Sequence, residues 1–162
     1  RSGKGLLKKG LIVKNENNLY SLKYRENHQD LAYLDNLRTK EFLNKPKNKT
    51  FSMFAKEVIE YFPKEYFVFL IFGSAVEKLT PRDIDILVII EKTEEIESME
   101  KAFFNISRKY TLNLHSVVVS FESVYEMLSK REEKNVINEV LNKHLILYGG
   151  ELFYRLIKKG RK

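Results

Sequence analysis

Asp83 and Asp85 stand one residue apart at the head of the run Asp83-Ile84-Asp85-Ile86-Leu87-Val88-Ile89-Ile90, and their type and spacing point to metal chemistry. In a β-rich run, residues two apart point to the same side, so both carboxylates share one face of one strand. Like charges placed this way repel and cost stability. A hard, oxygen-loving cation such as Mg2+ between them relieves that repulsion. From residue 51 to the end the chain holds 15 Glu and two Asp, and the two Asp are this pair. A short, stiff carboxylate is therefore expected to be required there. Upstream, Gly73-Ser74 closes the apolar run 66–72 and is separated from Asp83 by eight residues. Glycine lets the backbone turn tightly and approach a phosphate, and amides opening a short following helix favour anions. The Ser74 hydroxyl adds a further bond to a phosphate oxygen.

The elements that must position these residues are legible as periodic patterns. Phe51, Phe54, Ala55, Val58, Ile59 and Phe62 recur at helical spacing and Pro63 marks a stop. Residues 66–72 and 83–91 read as strands, 94–110 as an amphipathic helix and 112–119 as a third strand. Helical patterns follow through Val124, Met127 and Leu128, through Val136, Ile137, Val140 and Leu141, and through Leu152, Phe153, Leu156 and Ile157. The last of these comes after a short segment, 145–149, left without an element. This order predicts an α/β fold with a small mixed β-sheet flanked by helices in two or three layers. Ahead of it, residues 28–43 look helical, with Leu31, Leu34, Leu37 and Phe42 as the apolar stripe, and 45–49 reads as a linker. The expected division is a basic N-terminal segment, 1–45, and a domain at 51–162.

Composition narrows the class. At 162 residues with 43% hydrophobic content and 20 Phe and Tyr, the chain can bury a substantial core. It has no cysteine, which excludes disulfides, thiolate zinc sites and a cysteine nucleophile. The longest apolar runs are far shorter than the roughly 20 residues that cross a bilayer, and no signal-peptide pattern opens the sequence. A cytoplasmic protein without a membrane partner is the expectation. The sequence opens on Arg1, not Met, so upstream residues in a longer natural protein are also an expectation. Residues 1–50 hold 12 Lys and Arg against 5 Asp and Glu, whereas residues 51–162 hold 17 of each. All of the net charge of +7 lies in the N-terminal third. Such asymmetry suits a polyanion, nucleic acid first, or simply a solvated lysine-rich surface.

A strand ending in Gly73-Ser74, a short spacer and a strand bearing Asp83-Ile84-Asp85 together resemble the nucleotidyltransferase superfamily related to DNA polymerase β. The likeness is greatest to its minimal bacterial and archaeal domains. It covers about residues 65–160, including the tail Leu145-Ile146-Leu147-Tyr148-Gly149 followed by Phe153-Tyr154. The resemblance implies that Asp83 and Asp85 bind Mg2+ or Mn2+, and that Gly73 and Ser74 hold the phosphates of ATP or another NTP. It also implies a catalytic role for the aspartates, with a nucleoside monophosphate passing to a hydroxyl and pyrophosphate leaving. Lys78 and Arg82 in the loop are candidate phosphate contacts or plain surface cations. Active members carry a third acidic residue on the adjacent strand, and here 112–119 contains no Asp or Glu. Asn113 and His115 share one face of it and are the candidates for that position. Glu91 lies about 20 Å along the strand from Asp85, and Glu122 falls past the strand end, as a weak substitute.

A second resemblance covers about 20 residues. Leu6-Leu7-Lys8-Lys9-Gly10-Leu11-Ile12, a turn at Asn15-Glu16-Asn17-Asn18 and Leu19-Tyr20-Ser21-Leu22 are similar to the recognition-helix end and wing of a winged-helix DNA-binding domain. Three functions are therefore expected from different classes. They are an NTP-dependent nucleotidyltransferase, a catalytically weak DNA-binding regulator, and an antitoxin-like protein partner of a helical toxin.

Overall fold

The structure is a computed structural model describing residues 5, 7, 8, 10, 12–14, 16, 20–22, 28–62, 66–77, 83–130 and 132–160. Strand β3 (Phe67–Phe72) pairs antiparallel with β4 (Ile84–Ile90) on one side and with β6 (His144–Tyr148) on the other. Strand β5 (Leu114–Ser120) lies parallel to β4, giving the order β5-β4-β3-β6. A parallel pair needs a long crossover, supplied here by a 3₁₀ turn at Thr93–Glu95 and helix α3 (Ile96–Ser107). Beyond β5 come α4 (Phe121–Ser129), α5 (Val136–Asn142), then β6 and α6 (Gly150–Gly160).

Helices cover both faces of this mixed sheet, so the α/β fold has three layers. On one face Phe67, Phe69 and Ile71 of β3 and Ile84, Ile86 and Val88 of β4 meet α2 (Lys49–Tyr61) and α3. Phe54 sits at the centre, with ring centroids 6.3 Å from Phe69, 5.4 Å from Phe103 and 5.6 Å from Tyr110. Such contacts add roughly 0.5–1.5 kcal/mol per pair beyond burial. On the other face Val68, Leu70, Leu87 and Ile89 meet α1 (His28–Leu43), α4, α5 and α6. Burial on both sides explains why β3 is apolar at every position. It also makes a carboxylate on β4 conspicuous.

The structure revises two sequence expectations in this region. Residues 145–148 of the segment 145–149 belong to the fourth strand of this sheet, β6, and Gly149 follows it. Helix α1 buries Leu31 and Phe42 of the expected stripe, with Leu34 partly covered, but Asp35 and Thr39 complete the buried face and Leu37 is 46% exposed. Asp35 and Thr39 are buried because polar partners on β6 and α6 meet them. The segment 45–49 contains a 3₁₀ turn, Pro46–Asn48, that leads directly into α2. Phe42 and Phe51 on either side of it stack edge to face at 6.1 Å. In the N-terminal segment, Gly5, Leu7 and Lys8 are helical, and β1 (Ile12–Lys14) pairs antiparallel with β2 (Tyr20–Leu22). Lys9 and loop positions 15, 17 and 18 fall outside the described residues, as do Lys78 and Arg82.

Past the end of α3, a polar clamp fixes the approach to β5. Lys109 Nζ donates to Glu57 Oε1 and the Tyr110 hydroxyl donates to Glu57 Oε2 at 2.6 Å. The Lys109 bond first, and the Tyr110 bond second, hold the Glu57 carboxyl below the usual glutamate range. A group lowered on folding stabilises fully above its unfolded pKa, about 4.3 for Glu, and loses that contribution as pH falls through the folded value. Wild type is therefore expected to exceed Glu57→Gln in urea midpoint at pH 6–7. The gap is expected to close progressively below about pH 4, and a gap independent of pH would contradict the assignment. The same bond raises Tyr110, so its contribution persists below the ordinary Tyr value and fades only as pH rises through the folded one.

Candidate functional site

Asp83 is the bend residue before β4 and Asp85 the second residue of that strand. Asp85 pairs with Phe72, the last residue of β3, and with His115 on β5. The two aspartates, Ser74, Asn113, Leu114 and His115 line one cleft of about 410 Å3 at this end of the sheet. Because β3 runs toward the site while β4 and β5 run away from it, residues from three separate chain segments meet there.

The Gly73 turn closes directly against Asp85. Gly73 has φ +67°, a left-handed conformation that side chains disfavour. A β-carbon built on it would lie 2.9 Å from Asp85 Oδ2, so the missing side chain is the space that the carboxylate occupies. The turn itself is a four-residue 3₁₀ segment, Gly73–Val76, anchored by the buried Ala75 and leaving Ser74 exposed at the cleft. A Gly73→Ala variant is expected to lose roughly 1–3 kcal/mol of stability to backbone strain and to displace the Asp85 carboxylate. Chemical denaturation and the metal response of the variant measure the two effects separately.

Flanking the aspartates, His115 is the second residue of β5 and Asn113 the residue just before that strand. The Asn113 side-chain amide donates to Asp83 Oδ1, and the Asn113 backbone carbonyl accepts the Ile84 N–H at 3.0 Å, the first rung between β4 and β5. His115 Nδ1 stands 3.8 Å from Asp85 Oδ1, with side-chain exposures of 89% and 33% respectively. At that exposure the pair contributes little to stability, and the imidazole is open to whatever enters the cleft. Glu91 follows the far end of β4, and Glu122 follows Ser120, the β5 residue paired with Ile90. Both are therefore at the opposite end of the sheet from Asp85.

Among the described residues, no three His, Cys, Asp or Glu side chains are placed to share a metal ion. The donor set is thus two carboxylates with an amide and a hydroxyl nearby. That set fits Mg2+, which keeps several waters and takes one or two protein carboxylates together with substrate phosphates.

The site extends further than the sequence motifs indicate. A second cleft of about 410 Å3 shares Asp85 and His115 with the first, and Phe72, Val117, Lys134, Asn135, Val136 and Glu139 complete its wall. Lys134 and Glu139 reach it from α5 and the loop before it, some 50 residues beyond Asp85 in the chain. No local spacing marks them, because only the packing of α5 on the sheet brings them near. Asn135 is already committed as the α5 cap, its side chain accepting from the Asn138 N–H at 2.9 Å. Neither a protein-family model nor a curated protein sequence matches this chain.

Proposed function

We propose that the chain is a divalent-metal-dependent nucleotidyltransferase that moves a nucleoside monophosphate from an NTP, ATP first, to a hydroxyl acceptor. The observation that carries this reading is the meeting of Asp83, Asp85 and Ser74 in one cleft, with the Asp85 carboxylate in the space left by Gly73. Asp83 and Asp85 would hold the metal, which when bound would supply positive charge against the phosphates. Ser74 binds a phosphate oxygen, and Asn113 orients Asp83 through its amide. The acceptor oxygen bonds to the α-phosphorus as the bond from that phosphorus to the β-bridging oxygen breaks. His115, exposed beside Asp85, takes the hydroxyl proton.

The test is calorimetric titration of ATP, with and without Mg2+ or Mn2+, into the wild-type chain and Asp85→Ala. Metal-dependent binding in the first and none in the second is expected. No binding in either sinks the reading for this chain.

The regulator reading draws on a different observation: helical residues 5, 7 and 8 precede an antiparallel two-stranded ribbon in the basic third of the chain. A regulator binds a DNA duplex with affinity that falls steeply as salt rises and on Lys8→Ala or Lys14→Ala, irrespective of Asp85. Among the described residues, no helix is long and apolar enough to cross a membrane.

A further inference from the structure

Asp35, His144 and Tyr154 form a polar cluster inside the apolar layer, exposed by only 5%, 6% and 2%. Tyr154 donates its hydroxyl to Asp35 Oδ2, and His144 Nε2 lies 3.3 Å from the same oxygen. His144 Nδ1 faces the Val140 carbonyl at 2.6 Å; a carbonyl only accepts, so Nδ1 carries a proton. Arg38 donates to the other Asp35 oxygen at 3.3 Å from the outer side. Four elements, α1, α5, β6 and α6, are tied at one point. Burying a charged group this way carries a large desolvation cost, and apolar replacements often stabilise as well or better. What such a cluster supplies is one fixed geometry.

That geometry is aimed at the Gly73 turn. His144 opens β6 and is the cross-strand partner of Phe72, which immediately precedes Gly73 and is also the partner of Asp85. Just outside, Lys143 Nζ pairs with Glu77 Oε1 at 2.5 Å, holding the far end of the same turn. A cleft of about 420 Å3 is lined jointly by Asp35, His144 and Tyr154 and by Val76 and Glu77. We propose that Asp35, His144 and Tyr154 are positioning residues that set the Gly73–Val76 turn against Asp85.

Hydrogen exchange of the full chain, read by mass spectrometry, tests this without any ligand, so its outcome is independent of whether the site takes a nucleotide. Tyr154→Phe removes the hydroxyl and keeps the ring. Amides of residues 73–77 are expected to exchange about tenfold faster in this variant, together with those of α1. Thr39→Val serves as the control: it breaks the 2.7 Å bond from Thr39 to the Ile146 carbonyl, which ties α1 to β6 two residues beyond His144 without touching the Asp35 cluster. It is expected to loosen α1 and leave 73–77 unchanged. Circular dichroism first establishes that each variant is folded, and Asp35→Asn, which keeps the shape, replaces Tyr154→Phe if that variant is not. Faster exchange confined to α1 and α6, or equal acceleration of 73–77 by Thr39→Val, overturns the proposal.

Discussion

An Asp85→Ala variant is expected to keep the melting temperature of the metal-free wild type while losing at least about 100-fold in Mg2+-dependent ATP affinity. The two halves of this result have separate causes. In the absence of metal, Asp85 contributes little to the fold. It lies at the open end of β4, a third exposed, and its His115 pair at 3.8 Å is solvent-screened. Removing Asp85 also relieves its repulsion by Asp83, two residues earlier at the mouth of the strand, which offsets the small cost of the lost ion pair. With metal present, the balance changes. Outer-shell partners of a metal site typically change affinity 10–100-fold when mutated, so a direct carboxylate ligand sets at least the upper end of that range. Calorimetry with and without Mg2+, beside thermal denaturation of both proteins, separates the two. A variant that unfolds would assign Asp85 to the fold, and one that still binds ATP with metal would remove the metal site from this cleft.

How much of this was legible in the sequence follows from where each signal originates. The central strands were readable because β3 and β4 are covered on both faces and are therefore apolar without alternation. Gly73-Ser74 and Asp83-Ile84-Asp85 stood out against those runs, and the structure brings them to one cleft. Strand β6 gave no such signal: five residues between two helices carry too short an apolar run to distinguish strand from helix. Helix α1 was legible at its full extent, 28–43, but half of its buried face was not. Its buried face runs through Leu31, Asp35, Thr39 and Phe42, at helical spacing, but two of those four are polar. Their partners, His144, Tyr154 and the Ile146 carbonyl, lie more than 100 residues away in the chain. Lys134 and Glu139 were hidden by the same separation.

Gly149→Ala is expected to be among the most damaging small substitutions in the protein, although it adds one methyl group. Gly149 joins β6 to α6 at φ +78°, a conformation that costs an L-residue roughly 1–2 kcal/mol. Its carbonyl also accepts the Phe153 N–H at 2.9 Å, starting α6. A β-carbon there would sit 2.2 Å from the Phe67 carbonyl oxygen and 3.1 Å from Val68 Cα. Those atoms are backbone of β3, held by β4 on its other side, so the contact cannot be relieved by rotating a side chain. Strain and clash together are expected to cost about 4 kcal/mol, a fall in melting temperature of about 10 °C or more. The adjacent glycine gives the contrast. A β-carbon on Gly150 would meet Ala32 Cβ at 3.3 Å, a side-chain contact that a small shift of α1 relieves. Gly150→Ala is therefore expected to stay within about 1 kcal/mol of wild type. Denaturant titration of the two variants side by side isolates the backbone contact as the cause. The consequence reaches the site, because β6 presents His144 to Phe72 and so to the Gly73 turn. Gly149→Ala protein that remains folded at low temperature should therefore also show faster exchange at residues 73–77, despite lying at the other end of β6 from them.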